Sequence, residues 1–266
     1  MDKTSVIGII LGIVAIGVGM FFKGLSPMII INPAAISIII LGTIAAVTIA
    51  FPATDLKKVP KLFGILFKDK KQLNPKDVIL LFSDWAQLAR KEGLLALEAK
   101  TADVEDTFLR NGLSLAVDGQ SADYIRDVLN EEIEAMEDRH NSGAAIFSQA
   151  GTYAPTLGVL GAVLGLIAAL SHMDDQAELG KAIAAAFVAT MLGIFTGYVL
   201  WHPFANKLRR KSKEEVNIKL MMVEGILSIL EGEAPRVIEQ KLASYLPAGE
   251  RNKILDESGV KQDEQA

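Results

Sequence analysis

Apolar positions follow two different patterns along this chain. In four stretches, Ser5–Phe22, Ala34–Phe51, Gly151–Ser171 and Ala182–Trp201, they run on without a single Asp, Glu, Lys or Arg. A helix needs about 20 apolar residues to cross the hydrocarbon core of a bilayer, so each stretch predicts a transmembrane helix. Asn32-Pro33 opens the second, because Asn caps a helix and Pro fits its first turn. The first stretch also has the length of a signal peptide. It lacks an A-x-A-like cleavage site, and a second span follows at once, which favours a retained helix.

Elsewhere the apolar residues recur every three or four positions, the period of an amphipathic helix. After Asn74-Pro75 the pattern is Val78, Leu81, Phe82, Trp85, Leu88 and Ala89. From Ser121 the segment "YIRDVLNEEIEAMEDRH" reads as a helix that runs directly into the third span. Val216, Leu220, Val223, Leu227 and Leu230 form a heptad-like stripe with Met222, Ile226 and Ile229 beside it. The fourth span is therefore expected to continue as a helix from Ala182 to Leu230, roughly 70 Å at 1.5 Å per residue. Pro52, Pro60, Asn111-Gly112 and Asp118-Gly119 are expected to punctuate the chain, the last two as loops. From about Ala248 the sequence is polar and is expected to be loosely ordered.

The fold expected is thus an all-α membrane protein. Residues 1–52 carry two spans, 53–150 a helical insert, 151–201 two further spans, and 202–266 a helical extension with a polar tail. Charge sets the orientation. Lys57, Lys58, Lys61, Lys68, Lys70 and Lys71 follow span two, and Lys207, Arg209, Arg210, Lys211 and Lys213 follow span four. The other two connections hold Lys23, and Asp174, Asp175 and Glu178 ahead of Lys181. The positive-inside rule then puts both termini and the insert in the cytoplasm; the bacterial cytoplasmic membrane is what the family resemblance described below implies. Composition agrees: half the residues are hydrophobic and the mean hydropathy is +0.32, too high for an average soluble domain.

A net charge of −5 makes nucleic acid an unsuitable partner. With no cysteine there is no thiolate nucleophile and no Cys-based metal site. The chain contains no GxxxxGK[ST] and no HExxH, and neither an enzyme nor a resident cofactor or metal is expected. His140, His172 and His202 are scattered and read as interfacial or surface histidines.

Small residues carry more information. Ala185, Ala189, Gly193 and Gly197 recur every four residues, as do Gly161, Gly165 and Ala169, and Gly8 and Gly12. Such strips let helix backbones approach closely. Three strips in a four-span chain exceed what one monomer is expected to use, so self-assembly is the expectation. Pro155 removes a donor to the carbonyl of Gly151 and weakens or bends the third span. Thr156 follows it, with a hydroxyl that could satisfy a freed carbonyl or face a polar path. Pro203 sits at the inner end of span four, and Thr190 shares a stripe with Phe187 and Ile194. A proton or sodium path normally needs an intramembrane carboxylate. These spans have none, so a partner would have to supply it.

The segments "GTYAPTLGVLGAVLGLIAALSHM", "AAAFVATMLGIFTGYVLWHPFANKLRRKS", "QLARKEGLLALE" and "NGLSLAVDGQ" together resemble the MotA family of flagellar motor stator A subunits, closest to its Bacillus-type members. The related TolQ and ExbB energisers of envelope systems are the alternative, as is a sodium-driven stator. The resemblance implies a pentameric ring around two copies of a single-span MotB-like partner, which brings the ion-carrying aspartate and the peptidoglycan anchor. It implies that ion passage turns the ring and that the cytoplasmic part drives the rotor through FliG. By the same resemblance Pro155 and Pro203 match the coupling prolines, and Thr156, Phe187 and Thr190 match the ion path. Arg90 and Glu98, with Lys91 beside them, match the rotor contact. Read as one helix, residues eight apart differ by about 80° and seven apart almost line up, so the three would share a face. The same charges suit an ordinary solvated helix face. Threonine hydroxyls serve sodium or a protonated carboxyl equally. The pattern that includes "LIAALSHMD" resembles the proton-using branch, so protons are the expected ion and membrane lipid the expected surroundings.

Overall fold

The computed structural model describes residues 3–68, 73–101, 104–171 and 173–257. In chain order its helices are α1 (Lys3–Phe22), α2 (Pro33–Ala50), α3 (Ala53–Leu56), α4 (Val59–Phe67), α5 (Pro75–Glu92), α6 (Glu98–Thr101), α7 (Thr107–Val117), α8 (Ala122–Leu170), α9 (Gln176–Phe195), α10 (His202–Leu230), α11 (Pro235–Ala243) and α12 (Ala248–Glu257). Short 3-10 turns fill Pro27–Ile30 and Leu94–Leu97, and a π-helical turn spans Thr196–Trp201. Among the described residues there is no strand. Four helical stretches are long and apolar enough to cross a membrane: Lys3–Phe22, Pro33–Ala50, Ala122–Leu170 and Gln176–Leu230. Lys70, Lys71 and His172, named above for their charge or position, lie outside the described residues, as does the tail beyond Glu257.

Local chemistry sets the helix starts. Asn32 Oδ1 accepts from Ala35 N at 3.1 Å, and Asn74 Oδ1 from Lys76 N at 3.1 Å, each with a proline in the first turn behind it. Asp106 and Asp175 cap α7 and α9 in the same way. Ser121 Oγ accepts from Tyr124 N at 3.3 Å at the start of α8. Asp118-Gly119 is a turn, as its sequence predicts, with Gly119 at φ +76°.

Two compact units result, one of Met1–Lys70 with Arg139–Lys211, the other of Lys71–Asp138 with Ser212–Ala266. These packing boundaries differ from divisions drawn at the ends of the apolar stretches. The residues just beyond each span pack with the spans. In the first unit Phe63, Phe67, Phe147, Trp201 and Phe204 form one aromatic cluster, with ring centroids 5.1–6.4 Å apart. Leu66, Ala144 and Leu208 are buried with it.

In the second unit the apolar positions of α5, α7, α8, α10 and α11 share one core that includes Phe82, Phe108, Leu129, Met222 and Ile226. Ser83 Oγ donates to Glu239 Oε1, which ties α5 to α11. Lys241 pairs with Glu224 at 2.5 Å and Glu233 at 3.4 Å. The hydrogen bond that Lys241 donates to Glu224 holds its ammonium above the usual range, so it stays charged at neutral pH. Two expectations fail here. Asn111-Gly112 is no loop but the middle of α7, where Gly112 lets Ile226 and Leu129 close over the helix. Nor is the chain loose from Ala248, because Ala248–Glu257 is helical and buries Ile254 in this core. In both cases tertiary burial overrides a weak local preference.

The first unit is organised by the seam between α8 and α9. A Cβ on Gly158 would lie 2.8 Å from Ala189 O and 2.9 Å from Gly193 Cα. One on Gly193 would lie 2.8 Å from both Ala154 O and Gly158 Cα. Gly161 packs on Ala189 and Gly165 on Ala186. Gly12 of α1 meets Val199. Two of the three strips thus face each other within one chain, and Gly12 of the third is used there as well, so these contacts do not by themselves require a second copy.

Gly193→Ala is expected to lower the thermal stability of the purified protein in detergent. The methyl meets the α8 backbone at Ala154 and Gly158, and overpacking costs about 1–3 kcal/mol. Gly180→Ala, which points into open space, should leave stability unchanged or slightly raised.

Candidate functional site

Phe187 and Thr190 stand one turn apart on α9 and line one groove with Ile194, Tyr198 and Ile16 of α1. The groove measures about 450 Å³ and its walls are mostly apolar. Phe187 is 73% exposed. Thr190 Oγ1 donates to Ala186 O at 3.3 Å. Thr156 is exposed on α8, and its Oγ1 donates to Tyr153 O at 2.7 Å. That carbonyl is not the one Pro155 frees, so the hydroxyl does not fill the gap left by the proline. Both threonines have committed their single proton to their own helix. Each keeps an oxygen with lone pairs that could accept from a protonated carboxyl or face a cation.

Thr156 does not line the groove of Thr190. Gly158, two residues on, faces α9, and two residues turn a helix by about 200°. Thr156 therefore points away from α9. The chain brings Phe187 and Thr190 together and leaves Thr156 on another face.

The two prolines, by contrast, meet through one glycine. Pro155 deprives Gly151 O of its α-helical donor. A Cβ on Gly197 would lie 2.8 Å from that same Gly151 O and 2.7 Å from Pro155 Cγ. The freed carbonyl and the proline ring thus both rest against Gly197 of the neighbouring helix. Pro203 likewise leaves Val199 O without its donor, and the chain responds with the π-helical turn Thr196–Trp201, in which His202 N donates to Gly197 O. Such turns appear mostly as single-turn insertions in α-helices and are frequent at functional sites. The His202 ring lies 5.3 Å from that of Tyr198 and packs on Gly151. The sequence places Gly197 in a small-residue strip, His202 at the interface and Gly151 opposite Pro155, but does not bring the three together. The available signals were a glycine four residues before Pro155 and a histidine immediately before Pro203.

Arg90, Lys91 and Glu98 are all exposed. They do not share one helix, which corrects the geometry expected above. Gly93, at φ +89°, ends α5, a conformation open to glycine and strained for other residues. The 3-10 turn Leu94–Leu97 follows, and Glu98 opens α6. Arg90 and Lys91 therefore end one helix, and Glu98 begins another. Among the described residues, no cluster of His, Asp and Glu is placed to hold a metal ion.

An all-helical membrane subunit is thus defined, with four uncharged spans, a tight seam of small residues, and two proline-disturbed turns held against each other. Residues 100–221 match the MotA/TolQ/ExbB proton channel family, and the chain belongs to that family, on its motility protein A side. Motility protein A of Bacillus subtilis (strain 168) is 67% identical over all of both chains. Motility protein A of Helicobacter pylori (strain ATCC 700392 / 26695) is 38% identical over 95% of this chain and 98% of its own. The flagellar MotAB stator complex from Bacillus subtilis contains a chain that superposes with a TM-score of 0.91 at 70% identity, covering 95% of this chain and 99% of that one. The C. jejuni MotAB structure superposes with a TM-score of 0.89 at 31% identity, covering 93% and 97%. The resemblance first carried by four short segments extends along the whole chain.

Pro203→Ala restores an N–H opposite Val199 O. The turn Thr196–Trp201 is expected to wind as α-helix in the variant, visible in its structure as a bond from residue 203 N to Val199 O. Persistence of the π-helical turn would show that the Gly197 contact, not Pro203, imposes it.

Proposed function

We propose that this chain is the A subunit of a proton-driven flagellar motor stator. One observation carries the reading: a full-length relative at 67% identity is motility protein A, and the fold superposes on a chain of a solved MotAB stator complex. The spans fit that role because they contain no carboxylate. A single-span MotB-like partner would bring the ion-carrying aspartate and the peptidoglycan anchor. Five copies of this chain would surround two copies of the partner in the cytoplasmic membrane, with lipid outside and both termini in the cytoplasm.

In this assembly Phe187, Thr190 and Thr156 line the ion path. Thr156 turns away from the Thr190 groove within one chain, so the path forms where Thr156 of one copy approaches Thr190 of the next. Protonation of the partner's aspartate neutralises it. The carboxyl can then pass a threonine oxygen and an apolar wall that the charged form avoids. Pro155 and Pro203 carry the resulting shift to the cytoplasmic part through Gly197. Arg90, Lys91 and Glu98 engage FliG on the rotor, where exposed charges give fast association and easy release. The TolQ/ExbB reading shares the family, but the full-length relatives named motility protein A favour the stator.

The test is swimming in sodium-free medium by a strain that lacks its own A subunit and is given this chain with its cognate partner. Restored swimming is expected, together with its loss in Pro155→Leu at normal expression. An envelope or uptake defect rescued without swimming would favour the energiser. Swimming only with added sodium would overturn the choice of ion. Arg90→Glu should impair motility, and a matching charge swap on the rotor should partly restore it. If the reversal has no effect, the rotor contact lies elsewhere.

A further inference from the structure

Helix α4 (Val59–Phe67) packs on the same end of all four spans. Ser5 Oγ, in the first turn of α1, donates to Leu66 O at 3.3 Å. Val59 packs against Val47 of α2 with Ile146 and Ala150 of α8. The Phe63 ring lies 5.1 Å from Phe147 of α8 and 6.4 Å from Trp201, the last residue of the fourth apolar stretch. The apolar face of α4 is therefore covered by protein. Its opposite face is basic. Lys57 and Lys58 keep right-handed helical angles between α3 and α4, so the helical period continues through them. Lys57, Lys61 and Lys68 then fall on one stripe, at spacings of four and seven residues, and all three are exposed. Gly64, between the last two on that stripe, adds no side chain and faces open space. Asp55, the only acid between Pro52 and Lys68, is paired with Lys58 at 2.7 Å. Among the described residues, the ammonium groups of Lys57, Lys61 and Lys68 have no hydrogen bond or ion pair.

We propose that this stripe binds the headgroups of anionic phospholipids in the cytoplasmic leaflet. Lysines beside spans mark the cytoplasmic side in general. Here they are also collected on the one outward face of a helix fixed against the span ends, at the level of the headgroups. Three ammoniums over about 16 Å of helix suit a row of phosphates, and unpaired lysines near a membrane surface attract anionic lipid. Because protein covers the apolar face of α4, the attraction is electrostatic and does not depend on insertion of the helix. A second copy of this chain is a poor occupant. In the unit that carries the stripe, Asp174, Asp175 and Glu178 belong to the connection at the opposite end of the spans, and Asp55 is already paired. Its remaining acids, Asp2 and Asp69, lie outside the described residues. The inference rests on the cytoplasmic placement of this end proposed above.

The test uses the full complex of this chain with its partner, purified in detergent with equal amounts of dioleoyl phosphatidylglycerol and dioleoyl phosphatidylcholine. Lipid kept after washing is counted by native mass spectrometry, and the mass of the complex reports its assembly in the same spectrum. Phosphatidylglycerol should be retained in preference to phosphatidylcholine. Lys61→Gln should reduce its retention about fivefold, the weight of one lysine at an anionic surface, and Lys61→Arg should preserve it. Lys57→Gln, Lys61→Gln and Lys68→Gln combined should abolish the preference; if that variant does not assemble, the single changes carry the test. Lys23→Gln, in the opposite connection, should leave retention unchanged. Equal retention of the two lipids, an unchanged preference in the lysine-stripe variants, or an equal loss in Lys23→Gln would overturn the proposal. Lys61→Cys, in a chain with no native cysteine, should react with maleimide once lipid is stripped. Protection at that stage would mean that a neighbouring copy covers the stripe, and would also overturn it. Labelling of the same cysteine by an impermeant maleimide in intact cells would overturn the assignment to the cytoplasmic leaflet. Retention is read without swimming or ion flow, so its failure is distinct from failure of the stator reading.

Discussion

The backbone-to-backbone approach of α8 and α9 is the constraint on which the rest of the first unit depends. At Gly158 and Gly193 each helix occupies the space a Cβ of the other would need. In a membrane the apolar side chains gain little by leaving lipid for one another, so close packing of small residues does the work that hydrophobic burial does in water. The seam therefore sets the rotational phase of both helices. With that phase set, Thr156 must turn away from α9, and Phe187 must turn out toward the α1 groove. The division of candidate ion-path residues between two faces follows from the glycines rather than from the residues themselves.

The same phase brings the two prolines together. Each removes one backbone hydrogen bond, and an unsatisfied carbonyl in a low-dielectric setting costs free energy. The two freed carbonyls are treated differently. Gly151 O rests against Gly197 across the seam, while the break at Val199 O is absorbed by a π-helical turn that re-pairs His202 N with Gly197 O. Gly197 thus touches both breaks, as the packing surface for Gly151 O and as the acceptor from His202 N. Any movement that rewinds the π-helical turn must also move the surface on which Pro155 rests, which gives the two prolines a physical coupling. A regular α-helix at either place would lack that linkage.

Much of this was legible in the sequence. Uncharged runs located the spans, Asn and Asp caps located the helix starts, and the stripe from Val216 to Leu230 located the core face of α10. Those features depend on local chemistry or on a simple period. Partner choice was not legible. A strip of glycines says that something comes close and does not say what, so Gly161 and Gly193 read equally well as contacts between copies. Asn111-Gly112 reads as a turn because local preference favours one, and only burial against Ile226 and Leu129 holds it helical. The π-helical turn left a single trace, Pro203, which fits an ordinary kink just as well. Gly93 carries no signal of its own inside "QLARKEGLLALE", yet at φ +89° it ends α5 where the charge spacing suggests an unbroken face.

That break changes what the charged segment can do. On one continuous helix, Arg90, Lys91 and Glu98 would form a narrow mixed strip in which opposite charges partly cancel. With the helix ended at Gly93, the two cations stand at a helix C-terminus, where the dipole favours positive charge. The carboxylate stands beyond the 3-10 turn Leu94–Leu97, at the start of the short helix α6. The two signs therefore stand on separate helical segments rather than along one strip. A surface of this kind keeps both signs available to a partner whose own charges alternate. Exposed pairs contribute only about 0–1 kcal/mol each, so such a contact forms and releases quickly. That property suits the rotor contact proposed for these three residues, which has to form and release repeatedly.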